Sequence, residues 1–110
     1  MSSKFGYYLT PLAEQDIDSA LAYITDTLCN GQAAKKLFAD IESAIDRICE
    51  FPYSSDDCKL FLVQDENIRH VIIDNYVLVY EVKEAGSKLN LLRFCYNRMD
   101  LTKLMLGKKD

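Results

Sequence analysis

A chain of 110 residues holds one domain's worth of core, and this one is 49% hydrophobic, 27% charged and 11% aromatic, with 4 Gly and 2 Pro. That composition excludes disordered, collagen-like and low-complexity architectures, and a chain of this size buries enough surface to fold without metal or disulfide staples. The net charge of −4 is uneven: residues 1–66 carry five Lys/Arg against twelve Asp/Glu, and residues 67–109 carry eight against four. A basic second part leaves a polyanionic partner open to it.

No apolar run reaches the ~20 residues of a membrane span, and Met1-Ser2-Ser3-Lys4 opens no apolar signal core. The expectation is a single domain over residues 1–110, located in the cytoplasm, with no membrane partner. Cys29, Cys49, Cys58 and Cys95 form no C-x-x-C pair, and the chain has 1 His. Metal-site spacing is therefore lacking, no cofactor is expected, and the cysteines read as buried thiols in a reducing compartment.

In chain order, residues 4–9 alternate Phe5, Tyr7 and Leu9 on one side, as a half-buried strand does. Thr10-Pro11 reads as a helix start, with Thr10 as the cap and Pro11 at a position where its missing N–H costs nothing. Leu12, Ala13, Ile17, Ala20, Leu21, Ile24 and Leu28 follow at helical spacing until Asn30-Gly31 interrupts them. A second helix is predicted through Glu50, with Ala34, Leu37, Phe38, Ile41, Ala44, Ile45 and Ile48 as its apolar face. Phe51-Pro52 ends it, because a residue before proline avoids helical angles. Two helices joined so closely form an antiparallel hairpin.

Beyond the polar Ser54-Ser55-Asp56-Asp57, strands are predicted over 67–73, 76–83 and 89–96, with turns at Asp74-Asn75 and at residues 84–87. Residues 59–63 extend or precede the first of them. Asp100 can cap a short final helix with Leu101, Leu104 and Met105 on one side and Gly107 at its end. The order β-α-α-β-β-β-α predicts an α+β domain, a small antiparallel sheet with a helical hairpin packed on one face. Tyr7, Tyr23, Tyr53, Tyr76 and Tyr80 read as core-edge and strand residues.

Several stretches then carry a family resemblance. They are Thr10-Pro11-Leu12-Ala13-Glu14-Gln15-Asp16-Ile17, Tyr23-Ile24, Asn30 with Ala33-Ala34, and Glu50-Phe51-Pro52-Tyr53-Ser54. Ile68-Arg69, Asp74-Asn75-Tyr76-Val77-Leu78-Val79-Tyr80 and Asn97-Arg98-Met99-Asp100 with Leu104 complete the set. In order and spacing, over about residues 7–105, the chain resembles the RelE/ParE-type toxins of bacterial type II toxin–antitoxin systems. The resemblance implies the same fold, a cognate antitoxin as partner, and a cellular target that is either DNA gyrase or the ribosome with its messenger RNA. It leaves self-association open.

Within that resemblance the sequence sits nearer the ParE-like branch. RNA-cleaving members commonly carry an arginine after the aromatic residue that opens the strand ending in tyrosine, and here Val77 follows Tyr76. A Lys-x-Lys arrangement on the preceding strand is replaced by Ile68-Arg69-His70, and the tyrosine six residues beyond the late arginine is Leu104. Cleavage by a 2′-hydroxyl needs a base, an acid and cations on the phosphate. Arg69 and Arg98 are the candidate cations, and His70 is the side chain with a fitting unperturbed pKa. Adjacent strand residues point to opposite faces, however, so Arg69 and His70 do not readily share a site; Glu66 or Tyr96 are the substitutes. The residues expected to contact target or antitoxin are Arg69, Tyr96, Asn97, Arg98 and Lys103. The leading expectation is a growth-inhibiting toxin acting on a protein such as gyrase. The alternatives are a ribosome-dependent messenger RNA endoribonuclease and an inactive member serving as a binding scaffold.

Overall fold

The computed structural model describes residues 5–53, 56–57 and 68–96. Strand β1 (Gly6–Leu9) leads through Thr10 into helix α1 (Pro11–Ala22), which widens into a π turn at Tyr23–Thr27. Helix α2 (Gly31–Glu50), the short β2 (Asp56–Asp57), β3 (Ile68–Ile73), β4 (Tyr76–Lys83) and β5 (Lys88–Cys95) follow. The described strands form one sheet in the order β1-β5-β4-β3-β2. This is the expected α+β class, and the order agrees through β5 except for β2, which falls in the polar stretch expected to connect α2 to the sheet. The expected final helix, Cys58 and the 59–63 extension lie outside the described residues.

Pairing among β2, β3, β4 and β5 is antiparallel, but β1 lies parallel to β5, with Tyr7 level with Leu89 and Leu9 with Leu91. A strand followed at once by a helical hairpin cannot fold back on its neighbour in sequence. It pairs instead with the last described strand, which makes the sheet mixed.

The Thr10-Pro11 start is built as the sequence predicts. Thr10 Oγ1 accepts from the Ala13 N–H at 3.2 Å, while its own proton goes to the Leu91 carbonyl at 2.7 Å. One hydroxyl thus caps α1 and fastens it to β5. Asn30 caps α2 in the same way, its side-chain oxygen 3.1 Å from the Ala33 nitrogen. Phe51 leaves the helix at φ −133° before Pro52. At the β3–β4 hairpin Ile73 pairs with Tyr76, and Asp74 takes the left-handed φ of 58° that such a two-residue turn requires.

The main core lies between helices and sheet. Ala13, Ile17, Ile24, Leu37, Ile41 and Ile48 meet Val71, Leu78, Tyr80, Leu89, Leu91 and Phe94. Val77, Val79 and Cys95 are buried on the opposite face of the sheet, with Ile68 and Leu92 packed against them. Directly paired residues share a face: Arg69, opposite Tyr80, is on the helix side, and His70, opposite Val79, is on the other.

Four residues expected on buried faces are not in the core: Tyr7, Leu12, Leu28 and Phe38 are exposed. For Leu28 the cause is the π turn. Its N–H bonds the Tyr23 carbonyl five residues back at 3.1 Å, so the turn holds one residue more than an α-helical one. That rotates Leu28 off the stripe it would share with Ile24. Leu12 and Phe38 sit at the margins of their stripes, beyond the reach of the sheet. Cysteine burial holds for Cys49 and Cys95 but not for Cys29, which is exposed at a left-handed φ of 50° between the helices.

Candidate partner-binding groove

Strand β5 carries an irregularity that shapes the surface beside it. Tyr80 pairs with Leu91 but Val79 pairs with Arg93, so β5 holds one extra residue there, a β-bulge. Leu89 and Leu91 face the helices at the regular spacing of two, and the next inward residue is Phe94. Asp16 of α1 closes over this bulge. Its carboxylate accepts from Arg93 Nε at 2.8 Å, from Arg93 Nη2 at 3.1 Å and from the Phe94 N–H at 3.0 Å. The two-point fit of guanidinium to carboxylate fixes orientation as well as distance. The hydrogen bond to Asp16 raises the Arg93 pKa, against the opposing effect of burial. In the run Thr10 to Asp16, Thr10 and Asp16 therefore fasten the sheet, with buried Ala13 between them.

A groove of about 530 Å³ opens next to this clamp, between α1, the π turn and the adjoining ends of β4 and β5. Tyr76 and Phe94 form its floor, stacked at 4.8 Å between ring centroids with planes 7° apart. Tyr96 stands edge-on to Tyr76 at 5.3 Å. Tyr23 and Leu28 form the opposite lip, and together with Tyr96 they leave more than half of their surface in water, at 54%, 54% and 53%. Large apolar side chains held exposed around a concave surface mark a place for a partner. The Asp16 clamp holds the Phe94 backbone, so one wall is rigid without any occupant.

Burial is the main cause that pushes the Tyr76 phenol above its ordinary pKa, with Tyr96, Asp74 and Tyr23 adding to it. A phenol with a raised folded-state pKa favours folding fully below the unfolded pKa, and that contribution is lost as pH climbs through the folded value. Stability is therefore expected to fall as pH rises above ~10. Tyr76→Phe should flatten part of that fall in urea melts across an alkaline series. An unchanged alkaline slope would mean that Tyr76 ionises as freely in the folded protein as in the unfolded one.

Of the residues expected to contact a partner, Tyr96 lines the groove and Arg69 does not. Arg69 sits level with Tyr80, four residues along β4 from Tyr76, or about 13 Å. Its guanidinium lies 5.2 Å over the Tyr53 ring and its Nη2 donates to the Tyr53 carbonyl at 3.3 Å. Tyr53 in turn donates to Glu84 at 2.7 Å. His70 is buried, and Arg69 and His70 stand on opposite faces as strand parity requires. Asn97, Arg98, Lys103 and Glu66 lie outside the described residues.

Sequence reasoning placed Tyr23 and Tyr76 at the core edge and missed the Asp16–Arg93 clamp. The break from spacing two to spacing three between Leu91 and Phe94 was the available signal for the bulge. Among the described residues, no group of three or more His, Cys, Asp or Glu is placed to hold a metal ion. No described helix is long and apolar enough to cross a membrane.

A family model for the ParE toxin of the type II toxin–antitoxin system parDE matches residues 7–101. Among solved structures, the chain is similar to one from the chromosomal ParDE toxin–antitoxin system of P. aeruginosa, with a TM-score of 0.67 and 15% identity. That likeness covers 86% of this chain and 98% of the other. It is also similar to a chain of the toxin–antitoxin complex RelBE2 from Mycobacterium tuberculosis, with a TM-score of 0.60, 14% identity, and coverage of 86% and 100%. At these identities the likeness is one of fold. No curated protein matches the chain in sequence.

Proposed function

The chain belongs to the ParE toxin family of type II toxin–antitoxin systems, and from that premise we propose that it arrests growth through a protein target such as DNA gyrase and is neutralised by a cognate antitoxin seated in the aromatic groove. The groove carries this reading. It offers exposed Tyr23, Leu28 and Tyr96 around a preformed floor, the form of a protein-binding surface rather than of a reaction site. The toxin–antitoxin complexes among the similar structures support an antitoxin as the partner.

Two features weigh against cutting RNA. Val77, which stands where RNA-cleaving members carry an arginine, is only 3% exposed and packs with Val79 and Cys95. Arg69 is engaged with Tyr53, and His70 is on the far side of the sheet. A cation aimed at a developing phosphorane is worth on the order of a hundredfold or more in rate, so its loss at that position removes most of a nuclease's advantage.

The test is expression of the protein alone in a bacterial host, mapping messenger RNA ends and gyrase-linked DNA breaks side by side. Growth arrest with gyrase-linked breaks, relieved by the antitoxin, is the expected result. Codon-phased cuts in messenger RNA that vanish on Arg69→Ala or Arg98→Ala would instead identify an endoribonuclease. Full growth with neither signal would leave an inactive binding scaffold.

A further inference from the structure

The charge around the groove specifies the chemistry of its occupant. The helical hairpin, residues 11–50, carries eight Asp/Glu against three Lys/Arg. Two cations near the groove are already engaged: Arg93 by Asp16, and Lys36 by Asp40 at 2.9 Å, with a smaller attraction from Asp74. An adjoining recess of about 210 Å³ shares Ile24 and Tyr76 with the groove and reaches Lys36, Asp40 and Asp74. Asp74 is exposed, and among the described residues it makes no ion pair. The tight turn holds it there by its left-handed backbone. Beside the aromatic groove, therefore, lies a recess whose charged lining residues are two carboxylates and one lysine, which among the described residues leaves Asp74 without a salt bridge and the recess net negative.

Aromatic faces attract cations through their ring quadrupole, and an ammonium or guanidinium leaves water more readily where a carboxylate also receives it. A carboxylate at the same place would meet Asp74 and the acidic hairpin and be repelled. We propose that the groove takes an apolar segment of the antitoxin that carries one arginine or lysine, with its apolar side chains between Tyr23, Leu28 and Tyr96 and its cation beside Tyr76 at Asp74. The inference rests on the antitoxin reading and adds the chemistry of the segment that binds. The acidic hairpin selects for a basic segment even when the antitoxin as a whole is acidic.

The experiment measures binding of labelled synthetic helical peptides to the full chain by fluorescence anisotropy. The peptides share one leucine-rich sequence and differ at a single position holding arginine, norleucine or glutamate. The arginine peptide is expected to bind about five- to tenfold tighter than the norleucine peptide, and the glutamate peptide weakest of all. Asp74→Asn should erase most of the arginine preference while leaving norleucine binding unchanged, and Tyr23→Ala should weaken all three. Equal binding of the three peptides, or an arginine preference that survives Asp74→Asn, overturns the inference. So does tighter binding of a peptide spanning residues 97–110, or a dimer of the chain that Tyr23→Ala dissolves, since either assigns the groove to a different occupant. The underlying reading is tested apart, by growth rescue with the co-expressed antitoxin. Rescue together with indifferent peptides would sink the cation inference alone, whereas failure of rescue would sink the antitoxin reading whatever the peptides do.

Discussion

Replacing Ile41 with alanine is expected to lower the unfolding free energy by ~2–5 kcal/mol, the range for removing a large aliphatic side chain from a packed core. Ile41 is 2% exposed in the middle of α2, on the stripe that also buries Leu37, Ile45 and Ile48. Its neighbours belong to a helix and to a sheet whose backbones are fixed by hydrogen bonds, so they relax only partly into the space left behind. Phe38 supplies the control. It is the larger residue and is 48% exposed, so Phe38→Ala should cost less than ~1 kcal/mol. Urea unfolding of both variants checks the pair. A Phe38 variant weaker than the Ile41 variant would mean that the buried stripe of α2 is turned from the one described.

Asp16→Ala is the second large effect, at ~2–4 kcal/mol. The substitution removes one carboxylate and with it three hydrogen bonds, two from Arg93 and one from the Phe94 backbone. Hydrogen bonds to a charged group contribute ~1.5–3 kcal/mol each where buried. Side-chain exposures of 17% for Asp16 and 25% for Arg93 let water replace part of what is lost. Asp16→Asn should fall between, since its amide oxygen still accepts from one donor. Arg93→Ala in the Asp16→Ala background should cost little more, because the clamp is already gone. Additive losses would mean that the two side chains stabilise the fold independently. The Asp16 variants should also bind the arginine peptide more weakly, since Phe94, part of the groove floor, is no longer held in place.

The parts of this fold that could be read from sequence are those governed by neighbours a few residues away. Leu37, Ile41, Ala44, Ile45 and Ile48 mark α2 because helical spacing is a local property, and Asp74-Asn75 marks a hairpin because left-handed angles favour such residues. Thr10 was legible as a cap, but its second bond, to Leu91, spans 81 residues and leaves no trace in the spacing. The parallel pairing of β1 with β5 is of the same kind. The groove was the least legible feature, because its residues come from α1, the π turn, β4 and the end of β5. No one of these stretches looks unusual alone. Tyr96 stands among the contact residues expected from the sequence, whereas Tyr23, Leu28 and Tyr76 join it around one groove only in the folded chain.

The parallel contact between the first strand and the last described one also bears on synthesis. A ribosome delivers α1 and the helical hairpin long before β5, the strand on which α1 packs, so that face of α1 waits for its partner. Phe94 and Tyr96 come at the end of that strand, and without them the groove lacks half of its floor and one lip. The groove thus comes into being only when translation has passed Tyr96 and β5 has slid between β1 and β4. An antitoxin that reads this groove therefore inspects finished molecules, and nascent chains escape its notice.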